Sequence, residues 1–146
     1  MDIFVFGSNL AGIHGAGAAK FAFKNHGAKW GQGIGLQGYS YAIPTKDRNL
    51  KTLDLETIKF YIDDFITGAA FYPVFNFMVT EIGCGLAGYE PKEIAPLFKN
   101  AMEVSNIKLP ARFLDVIEGT DLEGLSMTNI LNEKLRDKQS FGYEYW

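Results

Sequence analysis

Two glycine-rich loops are the first features of this chain that could do chemistry. Residues 10–17 and residues 83–89 each follow a predicted strand and each precede a predicted helix. In open α/β sheets such loops lie outside the carboxyl ends of the strands, where ligands bind. Glycine lets the backbone approach a ligand oxygen closely, and a helix N-terminus favours negative charge. Each loop alone could equally serve tight strand–helix packing, but two at one edge could together hold a diphosphate.

Several side chains in or near these loops could take part in a reaction. We expect His14 to be exposed among the glycines, either inert or acting as a general acid or phosphate contact. Lys46 follows a predicted strand, where the alternative is a solvated ion pair with Asp47. Cys84 has no histidine in its own segment, so we expect a place in the loop rather than nucleophilic catalysis. Tyr89 could stack on a ribose or base, or be a buried aromatic.

Length and charge limit the class of protein. A chain of 146 residues fits one domain, and 47% hydrophobic residues are enough for a sizeable core. The 21% of charged residues argue against disorder. The formal net charge is −3 and there is no Lys/Arg cluster, so we expect no duplex nucleic acid as a partner. A phosphate ligand remains compatible with this charge, because backbone N–H groups bind anions without basic side chains.

The remaining composition indicates neither a metal nor a membrane. Cys84 is the single cysteine, and His14 and His26 do not form a ligand pair, so we predict no disulfide, no metal and no cofactor. The chain opens directly into a predicted strand, so we expect no signal peptide. No apolar run approaches the ~18 residues that span a bilayer. These features predict a cytoplasmic protein without a membrane partner.

Apolar runs and periodic stripes predict alternating strands and helices. Strands are predicted at residues 2–6, 39–43, 75–82 and 112–117, and helices at residues 18–25, 54–67 and from near residue 93. We expect Pro44 to close the second strand, Asp54 and Gly68 to begin and end the second helix, and Pro96 to lie in the first turn of the third. Glycine-rich residues 27–38 are predicted to form a surface loop. The alternation predicts an α/β fold with a mostly parallel sheet and helices on both faces.

The C-terminal part has a different character. We predict a domain at residues 1–118 and an accessory tail at residues 119–146, in which residues 126–138 could form an exposed helix. The aromatic end at residues 141–146 needs a surface on which to dock. That surface could be the domain itself or a second copy of the chain, so a homo-oligomer is possible.

Three strings of residues resemble a known family. They are Phe6-Gly7-Ser8-Asn9 with the loop that runs to residue 19, Tyr41-Ala42-Ile43-Pro44-Thr45-Lys46, and Ile82-Gly83-Cys84-Gly85-Leu86. Over residues 2–118 the chain resembles the macro domain. It looks most like the branch that includes terminal ADP-ribose protein glycohydrolase and the ADP-ribose-1''-phosphate phosphatases. The resemblance implies a three-layer α/β/α fold with a mixed, mostly parallel sheet, and an ADP-ribose-type nucleotide, free or protein-attached, as the ligand.

The matched positions imply which residues bind and which react. Asn9 matches the family asparagine beside the distal ribose, and Lys46 matches the lysine that attacks the distal ribose carbon in the glycohydrolase. With His14, these are the predicted catalytic residues. The predicted ligand-binding residues are those of the two phosphate loops: Gly12, Gly15, Ala16, Gly17, Gly83, Cys84, Gly85, Leu86, Ala87, Gly88 and Tyr89.

Two departures from the family leave the activity open. The glycohydrolase has an acidic residue directly after Gly-Cys-Gly-Leu, where this chain has Ala87, so Asp47 or Glu90 would have to supply the carboxylate. We expect no counterpart of the family's upstream strand, whose Asp reads the adenine. We therefore expect a hydrolase of an ADP-ribose derivative (ADP-ribose-1''-phosphate or an ADP-ribosyl ester) or, alternatively, a non-catalytic module that reads or sequesters such nucleotides. A Rossmann-type cofactor domain is disfavoured, because residues 12–17 lack GxGxxG spacing.

Overall fold

The computed structural model describes residues 1–119 of the chain. The predicted accessory tail, with its helix at residues 126–138 and its aromatic end, lies outside the described residues. Within the described range, no helix combines the length and the apolar character that crossing a membrane requires.

A mixed, mostly parallel sheet is the centre of the fold. Its strands are β1 (Asp2–Asn9), β2 (Gly35–Gln37), β3 (Ser40–Lys46), β4 (Asn76–Val79) and β5 (Ile107–Lys108). Over residues 1–119 these five strands are ordered β2-β3-β1-β4-β5, and only the β2–β3 pairing is antiparallel. The strand β1 is central and pairs in parallel with both β3 and β4, so the carboxyl ends of β1 and β3 lie side by side.

Helices cover both faces of the sheet. They are α1 (Gly17–Asn25), α2 (Leu55–Ala69), α3 (Pro91–Ile94) with a 3₁₀-helix directly after it (Ala95–Glu103), and α4 (Ala111–Glu118). Side chains of β1 alternate between the two faces. Phe4 and Phe6 pack with the buried alanines of α1, whereas Ile3 and Val5 belong to a larger core that includes α2 and α4. The predicted α/β class and the mostly parallel sheet are therefore confirmed.

One predicted strand is a helix. Residues 112–117 lie in α4, and the strand that completes this edge of the sheet is β5, a few residues earlier. The apolar side chains Phe113, Leu114, Val116 and Ile117 suit a strand by type, but Asp115 interrupts the alternation that a half-buried strand needs. Pro110 stands at the N-cap, where its missing N–H costs nothing.

The glycine-rich segment and Pro44 also differ from expectation. Part of residues 27–38 forms β2, which pairs with the first half of β3. Pro44 does not end β3 but lies inside it, beyond the last residue that pairs with β2. The pairing of β1 with β3 shifts register directly after the Ser8–Pro44 pair. A proline without an N–H is tolerated at such an irregular position.

Helix boundaries are predicted to within about two residues. Asp54 caps α2 as predicted, accepting a hydrogen bond from the N–H of Thr57 at 2.8 Å. Gly68 does not end this helix, which continues to Ala69. The helix predicted from residue 93 begins earlier, at Pro91, and Pro96 opens the 3₁₀-helix instead. The strand predicted at residues 75–82 ends at Val79.

Candidate functional site

A cavity of about 510 Å³ lies at the carboxyl ends of β1 and β3. The ends of these strands form its floor, and the two glycine-rich loops form its sides. The residues of its wall are Gly7, Ser8, Asn9, Ile13, Gly15, Ala16, Gly17, Ala18, Ala19, Thr45, Lys46, Leu50, Gly83, Gly85, Leu86 and Ala87. The loops approach each other closely: a Cβ on Gly17 would stand 3.5 Å from Cδ1 of Leu86. The structure thus brings together the two loops that the sequence singled out.

The first loop leads into a helix N-terminus that faces the cavity. Gly17, with φ +58°, turns the chain into α1, and Ala16 at the N-cap has no side chain that can cap it. Within the described residues, the first helical turn is closed by the N–H of Lys20, which donates to the carbonyl of Ala16. The N–H groups of residues 17–19 therefore have no acceptor within the helix. Together with the helix dipole, they favour an anion in the cavity.

The second loop is held by its own backbone. The N–H of Tyr89 donates to the carbonyl of Gly83 at 2.9 Å, and the N–H of Gly88 donates to Gly85 at 3.1 Å. Gly83 has φ +79°, and a Cβ there would stand 2.8 Å from Cδ1 of Ile94. Among the described residues, the N–H groups of residues 85–87 donate no hydrogen bond, and all three residues belong to the wall. These donors are available to a bound anion.

Asn9 lies in the cavity wall but is committed to its own loop. Its Nδ2 donates to the carbonyl of Ile13 at 2.8 Å, and its Oδ1 accepts from the N–H of Ile13 at 3.0 Å. The side chain therefore bridges residues 9 and 13 of the first loop with two hydrogen bonds. Gly12, with φ +70°, is outside the wall and packs against the backbone of Gly31 and Gln32. Gly12 therefore packs the loop against this segment and does not line the cavity.

His14 is buried, and the prediction that it is exposed is wrong. Only 1% of its surface is accessible, because the first loop packs on the segment that carries Gln32. Its Nε2 lies 3.0 Å from the carbonyl oxygen of Gln32, and its Nδ1 lies 3.3 Å from Oγ of Ser8. The ring edge meets Phe6, with centroids 5.4 Å apart. His14 does not belong to the cavity wall itself, but its partner Ser8 does.

Lys46 is the one charged side chain among the described residues of the wall. It lies at the end of β3, half-buried, and forms no ion pair within the described residues. Neither expected carboxylate is its partner. Asp47 Oδ1 accepts from the N–H groups of Asn49 and Lys51, and Glu90 pairs with a neighbouring lysine at the start of α3. The described wall is therefore positive, without a carboxylate.

Three apolar side chains stand partly exposed in the wall. They are Ile13, Leu50 and Leu86, the last 67% exposed. Leu50 has φ +64°, the one positive φ of a non-glycine residue in the described range, and its N–H donates to the carbonyl of Asp47. Such a conformation costs about 1–3 kcal/mol and persists where surrounding contacts enforce it. These side chains can cover an uncharged part of a ligand.

Three predicted ligand-binding residues of the second loop, Cys84, Gly88 and Tyr89, do not line the cavity. Burial, reinforced by the nearby charge of Glu81, raises the pKa of the Cys84 thiol to about 12, so it stays protonated at neutral pH. The hydroxyl of Tyr89 donates to the carbonyl of Leu53 at 2.7 Å, which anchors the loop. Like Gly88, both residues are outside the cavity wall.

Sequence reasoning missed several residues of the wall. Ser8 and Thr45 stand beside predicted site residues, and Leu50 lies in the turn after Lys46. Alternation along β1 could have placed Ser8 on the same face as Phe4 and Phe6, toward the first loop. No local pattern indicates Leu50, because its position depends on the turn built around Asp47.

Comparison of the chain with protein-family models, with curated proteins and with solved structures gave no match. The resemblance to the macro domain therefore stays a prediction from the sequence.

Proposed function

We propose that this protein binds an ADP-ribose-type nucleotide, with the diphosphate held between the two glycine-rich loops. The observation that carries the proposal is the convergence of backbone donors on one cavity. The uncapped N-terminus of α1 and residues 85–87, whose N–H groups donate no hydrogen bond within the described residues, both line it. Lys46 adds a positive charge at its floor.

Charge and size favour a diphosphate over a neutral ligand. Unpaired N–H groups, a helix dipole and an ammonium group all gain from negative charge and gain little from a neutral ring. A volume of about 510 Å³ lies in the range of pockets that hold nucleotide-sized molecules. The apolar side chains Leu50 and Leu86 offer contact area for a ribose or base. We expect a dissociation constant in the micromolar range, which corresponds to a binding free energy of about −8 kcal/mol.

Hydrolysis of an ADP-ribose derivative is a second candidate, favoured by the position of Lys46 in the same cavity. A lysine nucleophile needs a neighbouring group that moves protons. Asp47 and Glu90 are engaged elsewhere, so the carboxylate that the family resemblance implies is not supplied by either. Binding is therefore the primary proposal, and turnover through Lys46 depends on a different proton acceptor.

Calorimetry with ADP-ribose, AMP and adenosine tests the proposal. We expect micromolar binding of ADP-ribose, at least tenfold weaker binding of AMP, and no heat with adenosine. Gly85→Val, in the cavity wall, should abolish binding in a folded protein. Gly68→Val is the matched control, because a Cβ on this helical glycine meets nothing within 4 Å. Equal affinity for adenosine and ADP-ribose, or no binding of ADP-ribose at millimolar concentration, would refute a diphosphate site.

A further inference from the structure

An exposed apolar turn lies at the edge of the sheet opposite the cavity. Residues 70–75, named the Phe71 turn, connect α2 with β4, and the paired strands β1 and β4 begin beside it. In this turn Phe71 is 78% exposed, Val74 is 74% exposed and Tyr72 is 49% exposed. We infer that residues 141–146, the aromatic part of the chain's own tail, dock on the Phe71 turn.

The Phe71 turn is held in place by the protein beneath it. Nδ2 of the buried Asn106, directly before β5, donates to the carbonyl of Ala69 at 3.0 Å and to the carbonyl of Tyr72 at 2.9 Å. The ring of Tyr72 stacks on that of Phe75, with centroids 5.7 Å apart and planes 10° from parallel. The apolar side chains are therefore displayed by a fixed backbone, which can bind a partner with little further ordering.

The absence of charge around the Phe71 turn favours an apolar partner. Residues 65–80 contain no Asp, Glu, Lys or Arg. Another exposed aromatic pair, Phe23 and Trp30, differs in this respect, because each ring is followed or preceded in sequence by an exposed lysine. A charged partner would gain no ion pair from residues 65–80, whereas an aromatic segment would bury apolar surface on both sides of the contact.

The area of the patch favours a segment of the same chain over a second copy. Met1, 61% exposed, lies beside the turn, since its carbonyl accepts from the N–H of Asn76 at 2.8 Å. Met1 and the turn together expose roughly 500 Å², given that a large aromatic side chain carries about 150–250 Å². A stable interface between separate chains needs about 800 Å² from each partner. A tethered segment needs less, because it does not pay the full entropy of association.

Residues 141–146 have both the composition and the reach for this contact. Their one charged residue is Glu144, and the other five are a glycine and four aromatics, Phe141, Tyr143, Tyr145 and Trp146. Residues 120–140, which separate them from the described part of the chain, can span up to roughly 70 Å when extended. A domain of this size has a diameter of only roughly 35 Å. The Phe71 turn is therefore within reach of the aromatic segment.

Photo-crosslinking in the full-length chain tests the contact. With p-benzoylphenylalanine in place of Phe71, irradiation should link this position to residues 141–146, as mapped by peptide mass spectrometry. A mixture of unlabelled and isotope-labelled protein distinguishes links within one chain from links between two copies, and we expect links within one chain. Phe60 is the matched control position, because it is 68% exposed and lies more than two helical turns before the end of α2. From there we expect no link to residues 141–146.

A double-mutant cycle in the full-length chain tests whether the contact stabilises the fold. Phe71→Ser alone, and Tyr145→Ser together with Trp146→Ser, should each lower the melting temperature by roughly 2–6 °C. The combination of all three changes should lower it no further, because either set already removes the same contact. Additive losses, unchanged melting of the Phe71→Ser variant, links between two copies, or no link from position 71 to residues 141–146 would each overturn the inference.

Discussion

Gly12 and Gly15 lie in the same loop, but their surroundings differ. Gly12 has φ +70°, and a Cβ there would stand 2.2 Å from the carbonyl carbon of Gly31, outside the cavity wall. Gly15 has no positive φ, and its Cβ would meet only Cγ2 of Ile13, at 3.9 Å. Both Gly15 and Ile13 belong to the wall. Gly12→Ala should therefore damage the fold, whereas Gly15→Ala should damage only the site.

The magnitudes follow from these geometries. In Gly12→Ala, the left-handed backbone costs about 1–2 kcal/mol, and the collision with backbone atoms adds the roughly 1–3 kcal/mol of an overpacked core. The sum, roughly 2–5 kcal/mol, should lower the melting temperature by roughly 8–20 °C in a domain of this size. Gly15→Ala should change stability little or raise it by about 0.4–1 kcal/mol, because alanine has less freedom in the unfolded chain. Its methyl group should weaken ADP-ribose binding roughly 10- to 100-fold if one charge-assisted hydrogen bond is lost.

Thermal melts and calorimetry on the two purified variants measure both quantities. A melting temperature of Gly12→Ala within about 2 °C of wild type would refute the close approach of the loop to Gly31. Wild-type affinity for ADP-ribose in Gly15→Ala would show that the first loop is not part of the ligand site, whatever the melting temperature of Gly12→Ala.

Two further predictions concern charged side chains. Lys46→Ala should weaken ADP-ribose binding by about tenfold or less, since backbone donors carry most of the binding, and Lys46→Arg should keep the affinity. If Lys46 is a nucleophile, both variants should lose turnover, because alanine has no amine and a guanidinium cannot attack. Equal turnover in Lys46→Ala and wild type would exclude a lysine nucleophile. Burial raises the pKa of Glu81, with the Arg112 charge opposing it, so the folded protein binds this proton more tightly than the unfolded chain and loses the associated stability as the pH rises. The melting temperature of Glu81→Gln relative to wild type should therefore increase from about pH 4 to about pH 8, and a decrease over that range would contradict the burial of a costly charge.

The parts of the fold that the sequence predicted are those with strong local signals. The position of β1 is predicted to within a few residues by its unbroken apolar run. The position of α2 is predicted equally well by its apolar stripe and by the cap at Asp54. The glycines of both loops indicated the cavity, because strand ends in a parallel sheet meet at one edge. The confusion of α4 with a strand arose from a short apolar run, which suits either structure by composition.

The misplacement of His14 has a different cause. Nothing near His14 in sequence indicates burial, since its neighbours are glycine and isoleucine in a loop. Burial results from contacts about twenty residues away, where the loop packs on Gly31 and His14 reaches the carbonyl of Gln32. The strand β2, only three residues long, was missed for the same reason: its pairing with β3 is set by tertiary packing rather than by its own pattern.

The polar side chains at the floor of the cavity already have partners within the protein. Asn9 is bonded to the backbone of Ile13, the hydroxyl of Thr45 donates to the carbonyl of Ser8, and the hydroxyl of Ser8 faces His14. For the proposed nucleotide, recognition by the described part of the wall is therefore left to backbone N–H groups and Lys46, which would respond to the charge and position of phosphates rather than to the edge of a base. Because these donors are held by loops that are bonded before a ligand arrives, little ordering is required on binding.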